Sequence, residues 1–370
     1  MRKGKFILFK ELDYFLILLT LACTAFGLVM ISSATHSIEG SRYVLIQSIA
    51  AGMGFVLMII CTSVNYEKIS SAWRIIYALC VFLLVLVLLI GTGREDTGSK
   101  SWIRFGSIGI QPSELVKIGF IITLSKRVSD FGEEINEPKN LLKLIFHMGF
   151  LLFLIMLQPD FGTAMVFIFI FAGIVFVAGI SYKYIITAAG TIIGIIPMAW
   201  FFLLKNYQKN RIRVFFNPES DPLGSGYHVI QSKIAIGSGK LFGKGLYHGT
   251  QNQLGYLPAK HTDFIFAVIG EELGLIGCLA VTLLLFAIVY RCVANSYRAK
   301  SDMSKYICIG VACMFLAHIF ENIGMCIGLM PVTGIPLPFF SYGGSSLITN
   351  FVAIGLVLSV HMRKNTISFN

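Results

Sequence analysis

The sequence predicts an all-α integral membrane protein of about ten transmembrane helices, with a large extracytoplasmic loop between helices 7 and 8. Three observations predict it. The 370 residues are 56% hydrophobic and only 13% charged, about half the charge of a soluble domain, and the mean hydropathy is +0.77. The apolar residues fall in unbroken runs, and about 20 such residues cross the roughly 30 Å of bilayer hydrocarbon as a helix. Lysine and arginine are shared unevenly between alternate connections. A soluble enzyme, a disordered chain and a secreted disulfide scaffold are excluded. The eight cysteines stand singly in or beside apolar runs with no Cys-x-x-Cys spacing, and read as small hydrophobes rather than metal ligands or disulfides.

The spans fall near 14–33, 44–63, 73–91, 111–125, 144–157, 162–180, 184–204, 264–290, 306–330 and 345–362. Arg2, Lys3, Lys5 and Lys10 precede the first, as in a signal peptide. That run is full length and further spans follow it, which favours a retained helix. With the N-terminus inside, the inner segments hold 17 Lys and Arg and the short outer loops hold 4. The bias predicts a multi-pass protein of the cytoplasmic membrane with both termini cytoplasmic. Its expected parts are a cytoplasmic N-terminus (1–13), one membrane domain (14–362) carrying the outer loop 205–262, and a cytoplasmic C-terminus (363–370). The formal charge of +11 then reads as topology plus attraction to membrane lipids. Nucleic acid is not implied, because no basic run is interleaved with aromatics.

Ionisable groups at membrane depth are expensive, so each needs a reason. Trp102 and Arg104 suit an interfacial stretch, and Pro112 suits a first helical turn. Glu114 and Lys117 follow at i,i+3 spacing and can pair on one face, either holding helices together or serving a site. Asp160, in the short turn Gln158–Thr163, caps the next helix or serves the same site. Glu321, beside His318 and Asn322, reads best as a packing residue of its span. Loop 205–262 is too long for a plain connection. It carries Arg211 and Arg213, whose forks match phosphate oxygens, a glycine-rich stretch, and a possible interfacial helix over Tyr227–Ile236. It ends at Asp263, beside a helix N-terminus that favours a carboxylate, where an ordinary cap is the plainer reading. Glu271 and Glu272 point to other faces than Asp263, and Glu272 should meet another helix or water. Met330–Ser346 holds three prolines and a Gly-Gly pair and cannot be one helix. Such backbone survives at depth only inside protein or beside a watery cavity. The turns at 102–117, 158–163, 205–263 and 331–346 are therefore expected to converge on one extracytoplasmic site.

Those turns carry a resemblance. Gln111-Pro112-Ser113-Glu114, Gln158-Pro159-Asp160-Phe161-Gly162-Thr163, His261-Thr262-Asp263-Phe264-Ile265-Phe266, Thr333-Gly334-Ile335-Pro336-Leu337-Pro338 and Ser341-Tyr342-Gly343-Gly344-Ser345-Ser346 resemble the bacterial shape, elongation, division and sporulation (SEDS) family (FtsW/RodA/SpoVE). Within it, the rod-shape branch is the most similar. One departure is Glu321, where that branch is expected to carry glutamine. The resemblance implies a peptidoglycan glycosyltransferase that polymerises lipid II into β-1,4 glycan with inversion, undecaprenyl pyrophosphate leaving. It implies Asp263 as general base and Trp102, Glu114, Lys117, Asp160, Arg211, Arg213, His261 and Ser341 as substrate contacts. It further implies a class B penicillin-binding protein and the elongation machinery as partners. A divalent cation (Mg2+ or Mn2+) is a candidate for the pyrophosphate, although no carboxylate cluster has metal-ligand spacing. A lipid II flippase and a non-catalytic scaffold are the competing functions. The absence of a visible repeat and of paired broken helices near the midplane counts against a transporter.

Overall fold

An unbroken apolar run in lipid satisfies its backbone only as a helix, and a helix stands at every one of the apolar stretches. The computed structural model describes residues 12–38, 40–93, 100–105, 108–198, 209, 213–221 and 224–364. In chain order the helices are α1 (Tyr14–Ala34), α2 (Gly40–Ser63), the short α3 (Tyr66–Ser71), α4 (Trp73–Ile90), α5 (Pro112–Phe131), α6 (Pro138–Leu157), α7 (Phe161–Val177) and α8 (Tyr182–Met198). There follow α9 (Ser225–Ser238), the single turn α10 (Thr250–Gln253), α11 (Ile265–Tyr297), α12 (Asp302–Ile327) and α13 (Gly344–Met362). Strands β1 (Ile103–Phe105) and β2 (Ile108–Ile110) form an antiparallel hairpin ahead of α5. Among the described residues, seven helices are long and apolar enough to cross a membrane: α1, α2, α4, α6, α11, α12 and α13. The apolar α7 is shorter.

Burial sorts centre from rim. In α12 and α13, 78% and 83% of the apolar stretch is buried, against 17% in α4, so α12 and α13 form the middle and α4 faces outward. α12 packs on α5, α7, α9, α11 and α13. All eight cysteines are free thiols. At the end of α1 that carries the N-terminus, the cap Asp13 takes Arg291 Nη2 at 2.6 Å and Asn295 Nδ2 at 3.0 Å, tying α1 to α11. The helix expected over Tyr227–Ile236 is present as α9. One face, Val229, Ser232 and Ala235, is buried, and Ser232 Oγ donates to Cys326 O of α12 at 2.8 Å.

The eighth apolar run departs from the sequence reading of one continuous span. α11 is interrupted at Gly274 (φ 66, ψ −161), and residues 239–245 enter the break. Lys244 N and Gly245 N donate to Glu271 O and Glu272 O, both at 3.0 Å, while Leu275 N and Ile276 N donate to Lys240 O (2.9 Å) and Leu241 O (3.3 Å). The inserted segment replaces the helix bonds that the break removes. Just ahead of the break the two acids hold it in place. Glu271 accepts from Lys244 Nζ (2.7 Å), Gln251 N (2.8 Å) and Asn252 N (3.0 Å). Glu272 accepts from Ser33 Oγ of α1 (2.5 Å), Asn252 Nδ2 (2.9 Å) and Tyr247 N (3.2 Å). Glu272 thus meets another helix, as expected, and the segment ahead of α11 as well.

A Cβ at Gly274 would lie 2.4 Å from Gly243 N and 2.5 Å from Leu241 O, on a backbone already at positive φ. Gly274→Ala is therefore expected to lower stability by about 1–3 kcal/mol. Thermal melting and faster proteolysis within 239–254 would read it, and an unchanged melt would remove the break from the fold's requirements.

Candidate active site

The polar turns do converge, through contacts that can be followed one by one. The hairpin brings the chain to Pro112 at the start of α5, and Ser345 Oγ donates to Gly109 O beside it at 3.2 Å. Gln111 Nε2 donates to Asp160 Oδ2 at 3.2 Å. A Cβ at Gly162 would fall 2.5 Å from the Ile335 side chain, so the turn before α7 packs directly on the proline-rich turn. That turn in turn meets the end of the segment leading to α11: Ser341 Oγ donates to Thr262 O at 2.6 Å and Tyr342 N to His261 O at 2.8 Å.

Asp263 lies at this junction. It is not a helix cap: the N-cap of α11 is Phe264, with no side-chain cap bond. Asp263 is half-buried, and its carboxylate oxygen Oδ2 lies over Gly334, 3.5 Å from where a side chain there would begin. Gly334 has φ 75, which suits glycine. Among the described residues the ion pairs join Lys117 to Glu114, Lys126 to Asp130, Lys244 to Glu271 and Arg291 to Asp13, and none reaches Asp263. Burial pushes its carboxyl up to about 6, with the Thr262 side-chain hydrogen bond acting the other way. Such a group is mostly ionised at neutral pH yet keeps real proton affinity, which suits a general base.

The other candidates divide. Asp160 is the cap of α7, accepting from Thr163 N (3.1 Å) and Thr163 Oγ1 (2.9 Å), so the cap reading holds and Gln111 adds the link to α5. Glu114 and Lys117 pair at 2.8 Å with both side chains buried. Lys117 Nζ also contacts His318 Nε2 at 2.8 Å, so the ammonium is engaged inside the protein rather than offered at the junction. Glu321 is 1% exposed and neither carboxylate oxygen has a hydrogen-bond partner. Ser341 is buried and its hydroxyl is engaged by Thr262 O and Leu337 N, which makes it a backbone tie. The His261 ring meets Tyr43 at a tilt and Tyr342 edge-on, with centroids 4.8 and 5.6 Å away. Burial, then the Lys260 charge, lowers its pKa, which favours the neutral imidazole. Trp102 is half-buried and bridged to Thr92. Arg213 is exposed, next to Val214, which lines a small pocket with Met330, Pro331 and Val332. Arg211 lies outside the described residues. Among the described residues no three His, Cys, Asp or Glu side chains group as a metal site.

Sequence reasoning passed over three residues. Gln47 bridges the junction from α2, with Nε2 to Ser341 O and Oε1 from Gly343 N, both at 3.1 Å. The Tyr43 ring packs at a tilt against His261 and edge-on against Tyr342. Asn322 donates to Asp263 O and to Ile335 O, both at 2.8 Å. A lone amide inside an apolar run was the signal for Gln47 and Asn322. The buried Glu114–Lys117 pair gives a direct expectation: Lys117→Met strands a buried carboxylate and should cost about 3–5 kcal/mol, whereas the double change Glu114→Gln with Lys117→Met should recover much of it. Thermal melts of the three variants read this, and equal losses in single and double variants would argue against coupling.

With this geometry in view, comparisons with known proteins agree. The family model for cell cycle proteins of the FtsW, RodA and SpoVE type matches residues 13–366. Peptidoglycan glycosyltransferase MrdB of Escherichia coli is 38% identical over 360 residues, covering 97% of this chain and 95% of the relative. Stage V sporulation protein E of Bacillus subtilis is 37% identical over 355 residues, covering 94% and 96%. A chain solved in work on the structural coordination of polymerization and crosslinking by a peptidoglycan synthase complex superposes with a TM-score of 0.83 at 29% identity, covering 96% of this chain and 99% of that one. The rod shape determining protein RodA of Thermus thermophilus gives a TM-score of 0.72 at 28% identity, covering 96% and 98%. The chain belongs to the FtsW/RodA/SpoVE (SEDS) family of multi-pass membrane proteins.

Proposed function

We propose that this protein is a peptidoglycan glycosyltransferase of cell elongation, polymerising lipid II with Asp263 as general base. The observation that carries the reading is the half-buried Asp263 carboxylate, without a cationic partner among the described residues, where four polar segments meet. A sugar hydroxyl is a poor nucleophile. As the acceptor's 4-hydroxyl oxygen bonds to the donor's anomeric carbon, its proton passes to Asp263, and the bond from that carbon to the pyrophosphate oxygen breaks. An α-linked donor becomes a β-1,4 link, and undecaprenyl pyrophosphate departs with the bonding electrons. A diphosphate leaves without protonation, so no second acid is needed, unlike the paired carboxylates of glycosidases. The departing charge calls for cations, for which we propose Arg213 and Arg211. Among the described residues no three His, Cys, Asp or Glu side chains group to hold a divalent cation, and the roles proposed here are those of protein side chains.

The proposal extends to topology and company. Ten crossings, at α1, α2, α4 to α8 and α11 to α13, with both termini cytoplasmic, put the junction on the outer side, supported by the lysine and arginine bias. The TM-score of 0.83 to a chain of a peptidoglycan synthase complex supports a crosslinking partner, for which we propose a class B penicillin-binding protein.

Purified protein given labelled lipid II, with and without such a partner and without a membrane gradient, is expected to make glycan polymer. Translocation without polymer would mean a flippase. Asp263→Ala should lower polymerisation by about 10²–10⁴-fold, the usual worth of a general base; near-normal polymer would remove Asp263 from the mechanism. The initial rate should fall as pH drops through about 6, where the carboxylate takes up its proton. Stability has the opposite sign. Folding raises this pKa from 3.8 to about 6, so the folded state holds the proton more tightly, and the contribution to stability present below 3.8 is lost as pH rises through 6. Asp263→Asn should therefore melt higher than the parent at pH 8, with the gap narrowing towards pH 5.

A further inference from the structure

Asn322 is fully buried on α12. Its amide nitrogen carries two hydrogens, and they go to two different pieces of backbone. One bond reaches Asp263 O, just ahead of α11, and the other reaches Ile335 O in the proline-rich turn, each at 2.8 Å. Ile335 adjoins Gly334, the residue over which the Asp263 carboxylate lies. One turn further along α12, the Cys326 thiol approaches Asp263 O at 3.7 Å and Asn322 Oδ1 at 4.0 Å. The two backbone carbonyls can only accept, and they fix the nitrogen end of the amide as the donor. A single planar amide therefore sets the carboxylate and the surface beneath it relative to each other.

We infer that Asn322 is a positioning residue for the reaction at Asp263, holding the base in register with the Gly334–Ile335 turn; this rests on Asp263 being the base. Asn322 itself touches no reacting atom. Neither Asp263 nor Gly334 lies within a helix, so neither has a neighbouring turn of regular bonds to restore its place when the amide is removed. A displacement of about 1 Å at a reacting group costs on the order of 100-fold in rate. The rest of the junction is independent of this amide: Ser341 and Gln47 hold Thr262 and Gly343 by their own bonds. Loss of Asn322 should therefore loosen the base without dismantling the site.

The test uses the full-length protein with Asn322→Ala, which deletes both bonds, and Asn322→Asp, which keeps the shape and replaces the two donors with acceptors. Asp263→Ala is the control. For protein that elutes as a single folded species, turnover at saturating lipid II is expected to fall about 10- to 100-fold while KM for lipid II changes less than threefold. The acid limb of the rate profile should also move away from its parental pH, because the carboxylate has changed surroundings. The limb position does not depend on how much of a sample is folded, so it decides the matter even where a variant folds in poor yield. A purely structural part for Asn322 would lower the melting temperature and the active fraction, and leave the limb and the turnover per active molecule where they were; that result overturns the inference. An active Asp263→Ala protein would instead overturn the assignment of the base, and this inference with it.

Discussion

Backbone that leaves the helix at membrane depth must find its hydrogen bonds inside the protein, and the junction at Asp263 follows from that demand. Two stretches leave the helix. Residues 239–245 enter the break in α11, where the amides of Lys244 and Gly245 take over the carbonyls of Glu271 and Glu272. The turn from Met330 to Gly343 is held by Asn322, Ser341 and Gln47, each bonding two backbone groups. Those side chains come from α12, the turn itself and α2. Irregular backbone is what lets a carboxylate stand beside a positive-φ glycine instead of pointing along a helix surface, so the geometry proposed for catalysis and the cost of non-helical chain are one feature.

The scaffold around these stretches is legible in the sequence because it depends on runs. Apolar length alone places α1, α2, α4, α11, α12 and α13, and the prolines and glycines of 331–344 announce a turn that cannot be helical. Asp160 is readable too, since a cap needs only its own next turn. The break at Gly274 is not. Its neighbours Leu273, Leu275 and Ile276 continue an apolar helical pattern, and the segment that fills the gap lies about thirty residues earlier. Whether Asp263 caps α11 or stands free turns on a single residue, because Phe264 holds the cap position. Pattern reading does not fix helix ends that finely.

The buried amides mark a second boundary of legibility. Gln47, Asn252 and Asn322 each lie in ordinary-looking surroundings, and each is at most 1% exposed. A polar residue in an apolar run announces that it has a partner, but not which one. The partners are far apart in sequence: Ser341 for Gln47, Ser33 and Glu272 for Asn252, Asp263 for Asn322. Lys260 adds to the set, joining Ser37 at 2.7 Å to Asn252 O at 2.6 Å only three residues before Asp263. Only the folded chain brings those pairs together.

The acids around the junction show why one of them is left for chemistry. Glu271 and Glu272 each take at least three donors, Asp160 takes three, and Glu114 takes Lys117. Those carboxylates are spent on holding structure, since a lone pair already engaged is poorly placed to accept a proton from a sugar. Glu321 has both oxygens unengaged, but it is sealed within α12's packing and out of reach of any ligand at the surface. Asp263 alone of this group combines partial exposure with a nearly unmet acceptor, Thr262 being its side-chain partner. Identical functional groups are thus separated into anchors, a sealed acid and the proposed base by what surrounds them, the same division by environment that separates paired carboxylates in other enzymes. The backbone ties around Asp263 then have a double effect. They hold it firmly by its main chain, and in doing so leave its side chain with little to hold.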